Sequence, residues 1–358
     1  MSIIIFLIIL STLIIVHELG HFLVARKSGI RVDEFGLGFP PRAKKLFTWK
    51  GTPFTLNWLP FGGFVKIFGE NPEQVTSVAP SDSFQSKNRG IQASVLLAGV
   101  IGNFIFAWSL ISVGFIIGLP TPAGLPIPIE NPRTIITTVL PDSPAALGGL
   151  RSGDAIISLL RNGDSSELSP EALSLFIAQS FEPLTFEIER GKEISNKTII
   201  PKEGIVENRP AVGISMDVIG IARLTPHKAI WQGLKTTSEL TLLTGQGIVS
   251  FLAESFRGKA DLSGITGPVG IVGLVGEARE LGFTYLLTFT AIISINLTII
   301  NLLPFPALDG GRLLFVVIEA ITRRPIPARI FNILNTVGFA LLLLLMLVVT
   351  SQDIRKIF

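Results

Sequence analysis

Apolar residues gather in four stretches of this chain, residues 3–24, 91–118, 283–303 and 330–349, while elsewhere apolar and polar positions alternate or mix. Each stretch reaches the roughly 20 residues that a helix needs to cross a hydrocarbon core. The pattern therefore predicts four membrane-spanning helices. The first is expected to be retained rather than cleaved as a leader, because no Lys or Arg precedes its apolar run, no small-x-small site follows, and the run continues through charged residues. Between the second and third stretches lie about 160 residues of ordinary soluble composition, too many for a loop. An inserted domain is expected there.

Within the insert, strand-like runs fall at 134–140, 155–160, 184–189 and 197–201, with a helical stretch at 170–179. These define a small mixed domain over residues 130–215. Residues 226–257 have helical spacing, which predicts an amphipathic helix on the membrane surface leading into a Gly-rich connector that ends at 276. After the first apolar stretch, residues 30–68 alternate and are punctuated by Gly36, Gly38, Pro40, Pro41, Gly51, Pro53, Pro60, Gly62 and Gly63. That is the spacing of short strands and hairpins. They are too few for a core of their own and should lie against the membrane helices, followed by a polar linker at 71–86. The membrane halves are thus residues 1–118 and 283–358.

Composition supports this picture. A mean hydropathy of +0.57 with 16% charged residues over 358 positions is unusual for a soluble protein. Dispersed basic residues without interleaved aromatics give no sign of nucleic-acid binding. Charge is more informative by segment: residues 26–90 carry ten Lys or Arg against five acidic residues, whereas residues 119–282 carry 14 against 18. By the positive-inside tendency the first connection is cytoplasmic and the inserted domain extracytoplasmic. There is no cysteine, so disulfides and thiolate metal sites are excluded. Metal ligands must come from His, Asp or Glu.

The first apolar stretch contains His17-Glu18-Leu19-Gly20-His21. Imidazoles at i and i+4 share one helix face and can bind one zinc ion, while the intervening Glu18 serves as the acid/base residue of a hydrolase. Zinc brings the pKa of a water toward about 7 and polarises the scissile carbonyl. Ionisable residues inside a spanning helix cost at least about 2.5 kcal/mol each when charged, and are functional by default. A third ligand is needed. Asp33 and Glu34 lie in a basic, Gly-punctuated stretch, and the better candidate is Asp309 in Asn301-Leu-Leu-Pro-Phe-Pro-Ala-Leu-Asp-Gly-Gly311, where two prolines break the helix at membrane depth. The competing reading of Asp309 is a pairing with Arg312. His227, after Pro226, is expected to be an exposed or capping residue.

These motifs together resemble those of the site-2 protease family of intramembrane metalloproteases, and within it the bacterial regulator-of-sigma-factor proteases with a single PDZ domain. Phe35-Gly-Leu-Gly-Phe-Pro40 and Pro60-Phe-Gly-Gly-Phe-Val-Lys66 are similar to the family's membrane-associated hairpins, Leu140-Pro-Asp-Ser-Pro-Ala-Ala146 and Gly149-Leu-Arg-Ser-Gly-Asp-Ala-Ile156 to its PDZ pattern, and Gly267-Pro-Val-Gly-Ile271 to a further segment. The resemblance implies a polytopic α-helical membrane protein with four transmembrane helices, a cytoplasmic-side membrane-associated β-hairpin region and an inserted extracytoplasmic α+β PDZ-like domain. It implies residence in the bacterial inner membrane, with the active site near the cytoplasmic side.

It also implies Zn2+ on His17, His21 and Asp309, Glu18 as acid/base, and Asn296 and Asn301 holding the unwound substrate backbone. The substrates it implies are single-pass membrane proteins, such as anti-sigma factors or signal-peptide remnants. A C-terminal peptide at the PDZ-like domain and membrane lipid are the other expected partners. One departure stands out: the family's Ala-Gly-Pro-x-x-Asn is here Ala98-Gly-Val-Ile-Gly-Asn103, with Val100 in place of proline. The readings that compete with a protease are a membrane-anchored PDZ adaptor and a metal-binding or metal-transporting membrane protein. Neither needs Glu18, which is not required as a metal ligand.

Overall fold

The computed structural model describes residues 1–70, 80–191, 193–206, 209–258 and 266–357. They form two compact units, one made of Met1–Ser112, Ile230–Arg279 and Leu286–Phe358, the other of Val113–Ala229 and Glu280–Tyr285. Among the described residues four helices are long and apolar enough to cross a membrane: α1 (Ser2–Lys27), α2 (Arg89–Ile117), α7 (Phe283–Leu302) and α9 (Ala328–Ile357). They coincide with the four apolar stretches of the sequence.

In the first unit, α1 buries Ile9, Leu13, His21 and Ala25, an i, i+4 row on which His17 also falls. Ile3, Ile4 and Ile8 stay exposed, as expected of residues that face lipid. Arg26 and Lys27 lie in the last turn, where cations suit the helix dipole. The chain then folds into one long antiparallel hairpin, β1 (Val32–Trp49) and β2 (Thr52–Ile67), closed by Lys50-Gly51 with positive φ at both residues. The sequence predicts several short strands here. The pair instead runs on through repeated register shifts between Glu34 and Phe47, with Gly36 and Gly38 at places where a side chain would strike the partner strand. Phe35 stacks on Phe54 at 4.8 Å, and both pack against Phe22 of α1. The hairpin thereby shares its core with the membrane helices. The linker predicted at 71–86 lies largely outside the described residues.

The same unit holds most of α5 (Pro226–Phe256), which runs unbroken through Gly245 and Gly247. It also holds most of α6 (Pro268–Leu281), and here the structure corrects the sequence reading. What looks like a Gly-rich connector is helical from Pro268 onward, because proline is favoured at the first helical position and the carboxylate of Asp353 takes up the free N–H groups of Gly267 and Gly270. Residues 259–265 of that connector lie outside the described residues. Helix α8 (Asp309–Thr322) follows the proline break after α7.

The second unit is a β-rich domain. Its main sheet has the order β3-β11-β4-β5-β7-β8, formed by Leu119–Pro122, Ile214–Ala222, Glu130–Val139, Ala155–Arg161, Leu184–Arg190 and Glu193–Ile199, with β6 (Asp164–Ser165) pairing with β5. A separate two-stranded hairpin joins β9 (Lys202–Val206) and β10 (Arg209–Ala211). Leu184, Phe186 and Ile188 alternate into the core with period two and meet Leu173 and Ile177 of α4 (Pro170–Ala178). The short helix α3 (Pro144–Leu147) and α4 both start with a serine cap followed by proline, Ser143-Pro144 and Ser169-Pro170. Asp154, fully buried, accepts from Arg190 at 2.6 and 2.8 Å and from the Arg151 N–H at 2.9 Å, and this pairing holds the Arg190 guanidinium above its ordinary pKa.

Candidate metal centre

His17 and His21 project from the same face of α1, one turn apart, with their rings 4.7 Å apart and nearly perpendicular. Their Nε2 atoms converge on one oxygen of Asp309: His17 Nε2 lies 2.9 Å and His21 Nε2 3.2 Å from Asp309 Oδ2, and the two Nε2 atoms are 3.2 Å apart. The three donor atoms fall within 4.8 Å of one another, and all three side chains are at most 19% exposed. Asp309 reaches this point as the first residue of α8, where a negative charge suits the helix N-terminus.

The loop that delivers Asp309 has little freedom. Ala307 sits at φ +74°, in the left-handed region that costs a residue with a Cβ, and its N–H is held by Asn335 Oδ1 of α9 at 3.1 Å. Gly310 lies against the carbonyls of Leu302 and Leu303, and Gly311 against that of Phe305, so neither position has room for a side chain. The two glycines let the chain turn straight from the proline break into α8.

Helix α2 closes the site from the other side. Gly20 of α1 packs directly on the Ala98 carbonyl, and Gly99 of α2 lies on the rings of His17 and His21. These small residues permit the close approach of two membrane helices. Val95 O is 2.8 Å from His21 Nδ1, and Asn103, completely buried, places its amide 3.3 Å from His17 Nδ1. Each imidazole therefore has a partner on Nδ1 while its Nε2 faces Asp309.

Glu18, half-buried on α1, lies within the electrostatic field of His17, His21, Asp309 and Glu70. Among the described residues its carboxylate takes no hydrogen bond. Arg312 does not pair with Asp309. It pairs with Glu70, beside a cavity of about 250 Å³ that Arg89, Gln92 and Glu319 also line. The other two carboxylates considered from the sequence are engaged in or next to the hairpin, Asp33 with Arg31 and Glu34 with Arg42 and Thr55. His227 is exposed at the start of α5, outside the cluster.

Asn296 and Asn301 are half-buried on α7, and neither makes a hydrogen bond to the His17–His21–Asp309 cluster among the described residues. The sequence reading did not single out Val95 or Asn335, and had Gly99 only as part of the segment Ala98–Asn103. Val95 acts through its backbone and has no side-chain signal, whereas Asn335 carried one, as a polar residue in an apolar span.

Two imidazoles and a carboxylate converge on one point, a set that could hold a metal ion, with an unpaired glutamate beside them on a helix of membrane-spanning length. Residues 5–345 match Peptidase family M50, and the chain belongs to that family. It is similar over its whole length to the zinc metalloprotease RasP of Geobacillus kaustophilus, at 32% identity over 434 residues covering 98% of that protein. The zinc metalloprotease RasP of Oceanobacillus iheyensis is 28% identical over 438 residues, covering all of this chain and 99% of the relative. The regulator of sigma-E protease RseP of Escherichia coli is 28% identical over 453 residues, covering 98% of both chains. The chain is thus a membrane peptidase of the site-2 type.

Proposed function

We propose that this protein is a bacterial intramembrane zinc endopeptidase in which His17, His21 and Asp309 hold the metal and Glu18 is the acid/base residue. The observation that carries the reading is the convergence of both Nε2 atoms on Asp309 Oδ2. Two nitrogens and one oxygen fit a zinc ion that keeps its fourth position open. Such an ion supplies Lewis acidity, polarising a peptide carbonyl and making water acidic enough to attack near neutral pH.

Glu18 accepts the proton of the attacking water and passes it to the nitrogen of the breaking C–N bond, so that a carboxylate and an amine leave the site. The absence of a hydrogen bond on Glu18 among the described residues suits a group that must exchange protons.

The substrates fit the surroundings of the centre. A bond cut at membrane depth belongs to a transmembrane segment whose helix must unwind, and the exposed amides then need partners. Asn296 and Asn301 supply donors and acceptors for that strand. We assign single-pass membrane proteins as substrates, in keeping with the sigma-E regulation for which RseP is named. The basic hairpin connection lies on the cytoplasmic side of the inner membrane and the β-rich domain outside. That domain is PDZ-like. A cavity of about 210 Å³ between α4 and the β10–β11 segment, lined by Ile177, Arg209, Gly213 and Met216, offers a place for a peptide C-terminus.

The test is cleavage of a tagged single-pass substrate by the purified full-length protein in detergent, wild type beside Glu18→Gln, with zinc determined on both. Loss of cleavage with zinc retained supports the assignment. Equal cleavage by the two proteins overturns it.

A further inference from the structure

The two histidines of the cluster are not supported alike. His21 Nδ1 faces the Val95 carbonyl at 2.8 Å, an acceptor only, so its Nδ1 carries a proton, and in the neutral ring that binds a metal the lone pair is left on Nε2. His17 Nδ1 faces a carboxamide, that of Asn103, at 3.3 Å. A carboxamide can either donate or accept there. If its NH2 group donates, the His17 proton is forced onto Nε2, the atom that points at His21 and Asp309, and His17 cannot bind a metal. If its oxygen accepts, Nε2 is free.

A second observation bears on the choice. With the NH2 group directed at His17, the Asn103 Oδ1 atom is buried with no hydrogen-bond partner, although the residue is wholly excluded from solvent. An orphaned buried acceptor costs roughly 1–3 kcal/mol, so it calls for an explanation. The two ends of the amide are alike in shape, and a half-turn about Cβ–Cγ exchanges them, placing the NH2 group where the oxygen stood. The half-turned amide brings the otherwise idle oxygen to the Nδ1 proton of His17.

The placement of Asn103 is itself telling. Val95, Gly99 and Asn103 are spaced i, i+4, i+8 and therefore form one row on α2. The row faces His17 and His21 on α1: Val95 supports His21, Gly99 makes room for both rings, and Asn103 supports His17. The backbone at Asn103 is held in turn by Ser294 of α7, whose hydroxyl donates to the main-chain carbonyl of Asn103 at 2.8 Å.

We infer that Asn103 is a positioning residue of the metal centre, whose side-chain oxygen accepts the Nδ1 proton of His17 and so selects the tautomer that leaves His17 Nε2 free for zinc. The inference rests on the ligand set proposed above. It separates Asn103 from the general interhelical role that polar residues play in membranes.

Zinc affinity of the full-length protein in detergent, measured by competition with a chelator, tests it. The proteins compared are wild type, His17→Ala, Asn103→Leu and Asn103→Asp. Asn103→Leu keeps the volume but removes the acceptor, and is expected to weaken zinc binding about 10–100-fold, the usual cost of losing an outer-shell partner of a ligating histidine. Asn103→Asp can only accept, and should bind zinc within about threefold of wild type or more tightly. If the Leu variant does not fold, Asn103→Ala replaces it, since alanine is the residue a helix tolerates best. Wild-type affinity in the variant without an acceptor overturns the inference, and so does a loss in Asn103→Asp as large as in Asn103→Leu. Unchanged affinity in His17→Ala overturns the ligand set itself, an outcome distinct from either of those.

Discussion

Asp353, near the end of α9, accepts the backbone N–H of Gly267 at 3.1 Å through one carboxylate oxygen, while the other accepts Gly270 N–H at 2.8 Å. A buried carboxylate on the last helix of membrane-spanning length thus caps α6, which in turn packs Val275 against Ile9 and Leu13 of the helix that carries His17. Both glycines lie so close to this carboxylate that a Cβ would crowd it. Asp353→Ala should lower stability by about 1–3 kcal/mol, the range for leaving buried donors without a partner. Asp353→Asn, which keeps an acceptor, should lose less, and thermal unfolding of the two variants in detergent measures the difference.

At the metal centre, Glu18→Gln should reduce cleavage by about 10²–10⁴-fold, the usual contribution of a positioned acid/base, with zinc content unchanged. Asp309→Ala removes a ligand of the proposed set. Its zinc affinity should fall by more than the roughly 10–100-fold that outer-shell losses cost, as determined by chelator competition.

Gly20→Ala and Gly99→Ala probe the packing of α1 on α2. The added methyl would meet the Ala98 carbonyl in the first case and the His17 and His21 rings in the second. Overpacking of this kind costs about 1–3 kcal/mol. The two variants should differ in their consequences: Gly20→Ala separates the helices and lowers stability, whereas Gly99→Ala also displaces the imidazoles. Unfolding midpoints compared with zinc affinities distinguish them.

Glu34 gives the hairpin a dependence on pH. Burial pushes its carboxyl up, but hydrogen bonds from Thr55 and Arg42 and the charges of Arg42 and Lys66 outweigh this and hold its pKa below the ordinary glutamate value. A depressed folded pKa stabilises the protein above the unfolded pKa, near 4.3, and that contribution is lost as pH falls through the folded value. The stability difference between wild type and Glu34→Gln should therefore be constant above about pH 5 and shrink on further acidification. A difference that grows as pH falls would contradict the assignment.

The sequence by itself determined the four apolar helices, because a run of about 20 apolar residues has no stable alternative in a bilayer. It also marked the strand runs at 134–140, 155–160 and 184–189, where period-two alternation survives in Leu184, Phe186 and Ile188, but the run expected at 197–201 straddles the end of β8 and β11 was not foreseen. It singled out His17, Glu18, His21 and Asp309, since ionisable residues in apolar surroundings are rare enough to be conspicuous. Helix α6 and the single long hairpin were not legible. Glycine weakens a helix and interrupts a strand when only local propensity is counted, and nothing local reveals that Asp353, more than eighty residues away, will cap Gly267 or that bulges will carry β1 past Gly36 and Gly38.

The same limit holds at the metal centre. Spacing places two imidazoles on one face, but the partners on their outer nitrogens, Val95 and Asn103, belong to a different helix. Which nitrogen is left to face Asp309 depends on contacts between distant parts of the chain, and only the packing of α2 on α1 decides it.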